Sequence, residues 1–188
     1  MEKIKTKCFV LFMMILMLAS TVLIAGVQTA NAHDPPLEIA TYAYLAVTPN
    51  PVGVNQEVLI YMWLQRPPPT ALGAYGDRFE GFELKITKPD GSTEIRGPFT
   101  SDPVAFAWLM YSPDQVGNYQ FQFTFPGQTL EGKNLHPTDT TGQDFINDIF
   151  LPSTSDIKTL VVQQDPIMPY PEVEPPEDYW SRPISGEF

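Results

Sequence analysis

From Ile39 onward the chain alternates apolar and polar residues with period two between clusters of turn formers. That is the pattern of half-buried strands. It is clearest over Asn118 to Phe125, where Tyr119, Phe121, Phe123 and Phe125 alternate with Gln120, Gln122 and Thr124. One face is aromatic and the other polar, as in a sheet covered on one side. Phe82, Leu84 and Ile86 alternate with Glu83, Lys85 and Thr87, and Lys88-Pro89-Asp90-Gly91 then turns the chain into a strand near Thr93 to Arg96. This reads as a hairpin. Ala40 to Val47, Glu57 to Gln65, Val104 to Tyr111 and Ile157 to Gln163 bring the set to about seven strands. No later stretch keeps a helical period. The expected fold is all-β, an Ig-like antiparallel β-sandwich.

Two strands break the alternation. Val58, Ile60, Met62 and Leu64 lie opposite Leu59, Tyr61 and Trp63; Phe106, Trp108 and Met110 lie opposite Ala105, Ala107, Leu109 and Tyr111. In a sandwich these are neighbouring strands B and E, each with one face toward solvent. Two apolar faces on adjacent strands imply a cover. Either another part of the chain packs there, or Tyr61, Trp63, Phe106 and Trp108 form a docking face or an aromatic ligand platform.

Ser112 to Tyr119 sets Asp114 and Gly117 just ahead of the aromatic strand. That is the sequence form of a tyrosine corner, in which the Tyr119 phenol folds back onto backbone. An ordinary turn before a core tyrosine has the same letters. Two long connections, Arg66 to Arg78 and Gly127 to Pro152, are long enough to be functional loops or insertions.

The ends differ from the middle. Lys3, Lys5 and Lys7 precede an uncharged run from Cys8 to Val27 and the triplet Ala30-Asn31-Ala32. Basic, apolar, then small residues form a secretory signal, a segment expected to be helical and to be cleaved after Ala32. An uncleaved membrane anchor is the alternative, since twenty such residues just span a bilayer. After Asp165, Pro166, Pro169, Pro171, Pro175 and Pro176 mix with Glu172, Glu174, Glu177 and Asp178. That composition makes an extended polyproline-like tail. Three regions follow: residues 1–32 as signal, 33–165 as the sandwich and 166–188 as tail.

Charge narrows the partners. Eleven basic and 22 acidic residues give a net charge of −11, and removing the signal leaves 8 and 21, a net of −13. Such a chain has no basic surface to release nucleic-acid counterions, so nucleic acid is not expected as a partner. Membrane contact is expected only through an uncleaved signal. Cys8 is the one cysteine, so an intrachain disulfide, a cysteine zinc site and an iron–sulfur cluster are excluded. A domain of roughly 130 residues buries enough apolar surface without a disulfide.

Catalytic signatures are absent: no G-x-S-x-G, no H-E-x-x-H and no phosphate loop occur, and the two histidines sit outside any recognisable triad. A non-enzymatic protein is expected. Cleavage after Ala32 would make His33 the first residue, offering an α-amine and an imidazole to copper, with His136 as the second imidazole. The plain alternative is a frayed terminus and a loop histidine. Asp139, Asp144, Asn147 and Asp148 could gather calcium, although they lack EF-hand spacing and suit any solvated loop.

Thr41-Tyr42-Ala43-Tyr44 and Pro49-Asn50-Pro51-Val52-Gly53-Val54 resemble the N-terminal region of archaeal secreted PQQ-binding-like β-propeller repeat proteins. Lys88-Pro89-Asp90-Gly91, Gly97 to Asp102 and Pro113 to Gly117 share the likeness, and Asp178-Tyr179-Trp180-Ser181-Arg182-Pro183-Ile184 resembles their junction into the first blade. The resemblance implies an extracytoplasmic Ig-like accessory domain beside a propeller, or bound to another cell-surface protein. The blades themselves do not occur in this sequence, so PQQ is not expected to bind these residues and no cofactor is assigned.

Overall fold

A computed structural model of the protein describes Met13 and residues 33–168; the rest of the expected signal segment and the tail from residue 169 lie outside the described residues. The described part is an all-β domain of three sheets. Seven strands of six to nine residues follow the hydrophobic alternation: β2 (Ala43–Thr48), β4 (Val58–Leu64), β5 (Phe82–Thr87), β6 (Thr93–Phe99), β7 (Phe106–Tyr111), β8 (Gly117–Phe125) and β12 (Lys158–Gln163). Five two-residue strands join them: β1 (Glu38–Ile39), β3 (Val52–Gly53), β9 (Gln128–Thr129), β10 (Ile149–Phe150) and β11 (Ser153–Thr154). Two residues carry no period, so pattern reading passes over such segments.

One sheet is antiparallel with order β2-β4-β7. A second has order β3-β12-β8-β5-β6, with β11 also on β8 and β3 parallel to β12. The third is small, β1-β10-β9. The inward rows of the two larger sheets meet in one core. Val58, Ile60, Met62 and Leu64 face Leu84, Ile86, Tyr119, Phe121 and Phe123, all buried. Tyr111 sets its ring edge-on to Phe121, with centroids 5.7 Å apart.

Strand ends depart from the alternation where side chains intercept the backbone. β2 starts at Ala43 rather than Ala40, because Glu38 and Ile39 pair with Ile149 and Phe150 in the small sheet. Thr41 then anchors the crossing by donating its hydroxyl to the Leu151 carbonyl at 2.7 Å. β7 starts at Phe106 rather than Val104. Asp102 Oδ1 accepts the Val104 and Phe106 amides, each at 2.9 Å, and buried Ala105 takes a left-handed φ of 66°.

The two long connections pack on one another. The buried carboxylate of Asp77 accepts Thr70 Oγ1 at 2.6 Å and the amides of Gly132 and Lys133 at 3.1 and 3.0 Å. The Gly76 amide donates to the Asn134 carbonyl at 2.8 Å. Leu130 and Phe150 drop from the second connection into the core, so it is structural, with one 3-10 turn at Gln143–Phe145. At the other end of the chain packing continues to Ile167, which rests against the core.

Candidate functional site

β4 is the middle strand of its sheet, and its alternation sends Leu59, Tyr61 and Trp63 outward. The register aligns three rows across the outer face: Thr48, Leu59 and Met110; Ala46, Tyr61 and Trp108; Tyr44, Trp63 and Phe106. None of these nine residues is charged. The Leu64 amide bonds the Ala105 carbonyl, so Trp63 and Phe106, one step along, form a non-hydrogen-bonded pair. Side chains in such pairs approach most closely. Tyr44 stacks on Trp63 with centroids 5.6 Å apart and planes 19° apart, and Trp63 stacks on Phe106 at 5.5 Å and 7°.

Rings stacked face to face spend their π faces on one another and turn their edges outward. The row is therefore a ridge rather than a flat tile for a sugar ring. Beside it Trp108 is 63% exposed and Met110 46% exposed. Ala46 and Thr48 are short, so the surface dips on the β2 side of Tyr61. The outer face of the six-stranded sheet is more polar, pairing Lys85 with Gln122 and Glu83 with Thr124. Exposed aromatic surface is thus concentrated on one side of the domain.

Of the residues singled out from sequence, Tyr61, Trp63, Phe106 and Trp108 come together on this face. Tyr44, Leu59 and Met110 complete it. Tyr44 follows Tyr42 at i, i+2, a spacing that places both on one side of an extended chain, but which sheet Tyr44 joins is set by its pairing with Trp63.

Asp114, Gly117 and Tyr119 meet at the turn before β8. The Tyr119 phenol donates to Asp114 Oδ1 at 2.7 Å and accepts the Asp114 and Gln115 amides at 3.1 and 2.9 Å. Gly117 has φ 132°, and a Cβ there would lie 2.8 Å from Pro89 Cβ. Lys88 Nζ bonds Asp114 Oδ2 at 2.8 Å, tying the β5–β6 hairpin to the same turn. This hydrogen bond holds the Asp114 carboxyl below its ordinary range, with the Tyr119 bond adding to the effect. Burial, then the bond to Asp114, pushes the Tyr119 phenol up to about 12. Burial likewise raises Tyr111 to about 12.

The histidines have other partners. His33 Nδ1 lies 2.7 Å from Asp148 Oδ2, and its ring meets Phe145 edge-on. His136 Nδ1 accepts the Asp139 amide at 3.0 Å, and its ring meets Tyr75 edge-on. Asp139 receives the Thr141 amide, while buried Asp148 also receives that of Leu37. Among the described residues no group of three or more His, Cys, Asp and Glu side chains is placed to hold a metal. The cleft beside His136 encloses about 50 Å³, far below a small-molecule site.

Comparison with protein-family models and with curated proteins found no match to this chain. Its class rests on the coordinates: an all-β domain bearing an uncharged aromatic sheet face. Among the described residues no helix is long and apolar enough to cross a membrane.

Proposed function

We propose that the exported chain is a non-enzymatic, extracytoplasmic Ig-like module that docks a neighbouring protein through the outer face of β2-β4-β7. The neighbour is a β-propeller domain or another cell-surface protein. The observation that carries this reading is the face itself: nine uncharged outward positions, with Trp108 63% exposed, outside a core already complete without them. Contiguous apolar surface of this kind marks interaction sites, and Trp and Tyr dominate binding hot spots. Edge-on rings suit a protein surface better than a sugar.

Strand order supports the Ig-like assignment. Order β2-β4-β7 opposite β6-β5-β8-β12 corresponds to A-B-E opposite C′-C-F-G, and the phenol at the start of β8 occupies the tyrosine-corner position. The copper alternative draws no comparable support: His33 packs beside Asp148 and Phe145 and His136 beside Asp139 and Tyr75, and among the described residues no group of three or more His, Cys, Asp and Glu side chains is placed to hold a metal.

The test is quantitative binding of the purified domain to the cell envelope of its source. Trp63→Ala and Trp108→Ala should each weaken binding at least about tenfold, roughly 1.4 kcal/mol. Lys85→Ala, on the opposite sheet, should leave it unchanged. Equal binding by all three variants, each folded by circular dichroism, would remove the docking reading.

A further inference from the structure

We propose that two copies of the chain join edge to edge along β7, so that two three-stranded sheets become one, β2-β4-β7-β7-β4-β2. The pairing uses backbone at the sheet edge and holds whether or not the outer face docks a partner.

The open groups are set by parity. The Leu64 amide bonds the Ala105 carbonyl at 3.2 Å, and bonded pairs alternate along an antiparallel ladder. Ala107, Leu109 and Tyr111 therefore exchange hydrogen bonds with Met62, Ile60 and Val58. Phe106, Trp108 and Met110 turn their amides and carbonyls away from β4. Asp102 closes the first of these: its Oδ1 accepts the Phe106 amide at 2.9 Å, and its own amide donates to the Phe106 carbonyl at 2.7 Å. Among the described residues nothing bonds the backbone of Trp108 or Met110 on that side.

The other edges of the two large sheets are shielded. β6 is broken by Gly97, at φ 128°, and by Pro98, and it exposes Arg96. At β3 a Cβ on Gly53 would lie 2.5 Å from Pro166 Cα. β2 lies against β11 and β12 of the facing sheet. Proline, charge and cover are the means by which strand edges are kept from pairing. β7 carries neither charge nor proline.

A second copy matches this edge. A two-fold axis at Leu109 sets Trp108 of one copy opposite Met110 of the other, so every open amide meets an open carbonyl. Centring the axis on Trp108 would instead put Met110 opposite the closed Phe106. Sulfur beside an aromatic ring is a favourable contact. Leu109 points inward yet is only half-buried; it would meet its own counterpart in a non-hydrogen-bonded pair, where side chains approach most closely. Charge agrees as well. The chain is acidic, but Asp102 lies seven residues before Leu109 and Asp114 five after it. The two-fold therefore sets neither acid opposite its like, an arrangement that would be destabilising.

The test is sedimentation of the chain from His33 to Phe188. The Met110 amide faces away from β4, so Met110→Pro removes an intermolecular donor and no bond within the sheet. It should raise the dimer Kd at least about tenfold, whereas Met110→Leu should keep it within about twofold. This chain has no cysteine, which allows a second measurement. Leu109→Cys would bring two Cα atoms to ~4.5 Å across the axis, within disulfide reach. Mild oxidation should give a cross-linked dimer, and Lys85→Cys should give none. A wild-type chain that stays monomeric up to about 0.1 mM would overturn the proposal. Dimerisation untouched by Met110→Pro, or Leu109→Cys that does not cross-link, would overturn it too. Should Met110→Pro fail to fold, the cross-link decides.

Discussion

Tyr119 shows how one hydroxyl holds a turn: its oxygen serves two amides and one carboxylate while its ring is fully buried. Tyr119→Phe keeps the ring and strands two backbone donors, which should cost about 1–3 kcal/mol in chemical denaturation. The pH dependence follows from the raised phenols. Tyr111 and Tyr119 hold their protons up to about 12 when folded, against about 10 unfolded. Between those values the unfolded chain has lost protons that the native state keeps, so stability is complete below about pH 10 and falls as pH rises toward 12. Denaturation midpoints across pH 9–12 check this, and Tyr119→Phe should flatten the slope. Asp114 acts with the opposite sign. Its lowered native pKa gives stability that is present above the ordinary carboxylate range and lost on acidification through its folded value.

At the scale of elements, β4 was readable in advance because both of its faces are apolar and its length is unbroken. The aromatic face was legible for the same reason on β4 and β7, yet Tyr44 entered it only through the register that sets Tyr44 against Trp63. Register is a pairing property and leaves no mark on a single strand. The long connections were harder still, because what organises them is a buried carboxylate reaching across more than fifty residues, from Asp77 to Gly132 and Lys133. Asp77→Ala should therefore release both loops together. We expect a loss of about 1–3 kcal/mol, with amide exchange speeding up across residues 70–77 and 130–134 while β5 and β8 stay protected.

For the whole molecule, the asymmetry between its two exteriors matters most, one polar and one aromatic. The end of the domain is also a global property. Composition changes at Pro166, but Pro166 sits against Gly53 and Ile167 against the core. A chain ending at Asp165 should lose about 1–2 kcal/mol relative to one ending at Met168, the value of a partly buried aliphatic side chain, measurable as a lower urea midpoint. The sequence by itself determined the all-β class, the seven main strands and the turn chemistry around Asp114 and Gly117, because period-two burial and backbone preference are local. Tertiary structure alone decided the pairing order, the stacking of Tyr44, Trp63 and Phe106, the fusion of the two long loops and the engagement of His33 by Asp148. Those depend on contacts between residues far apart in the chain, whose geometry exists only once the sheets have closed on their core.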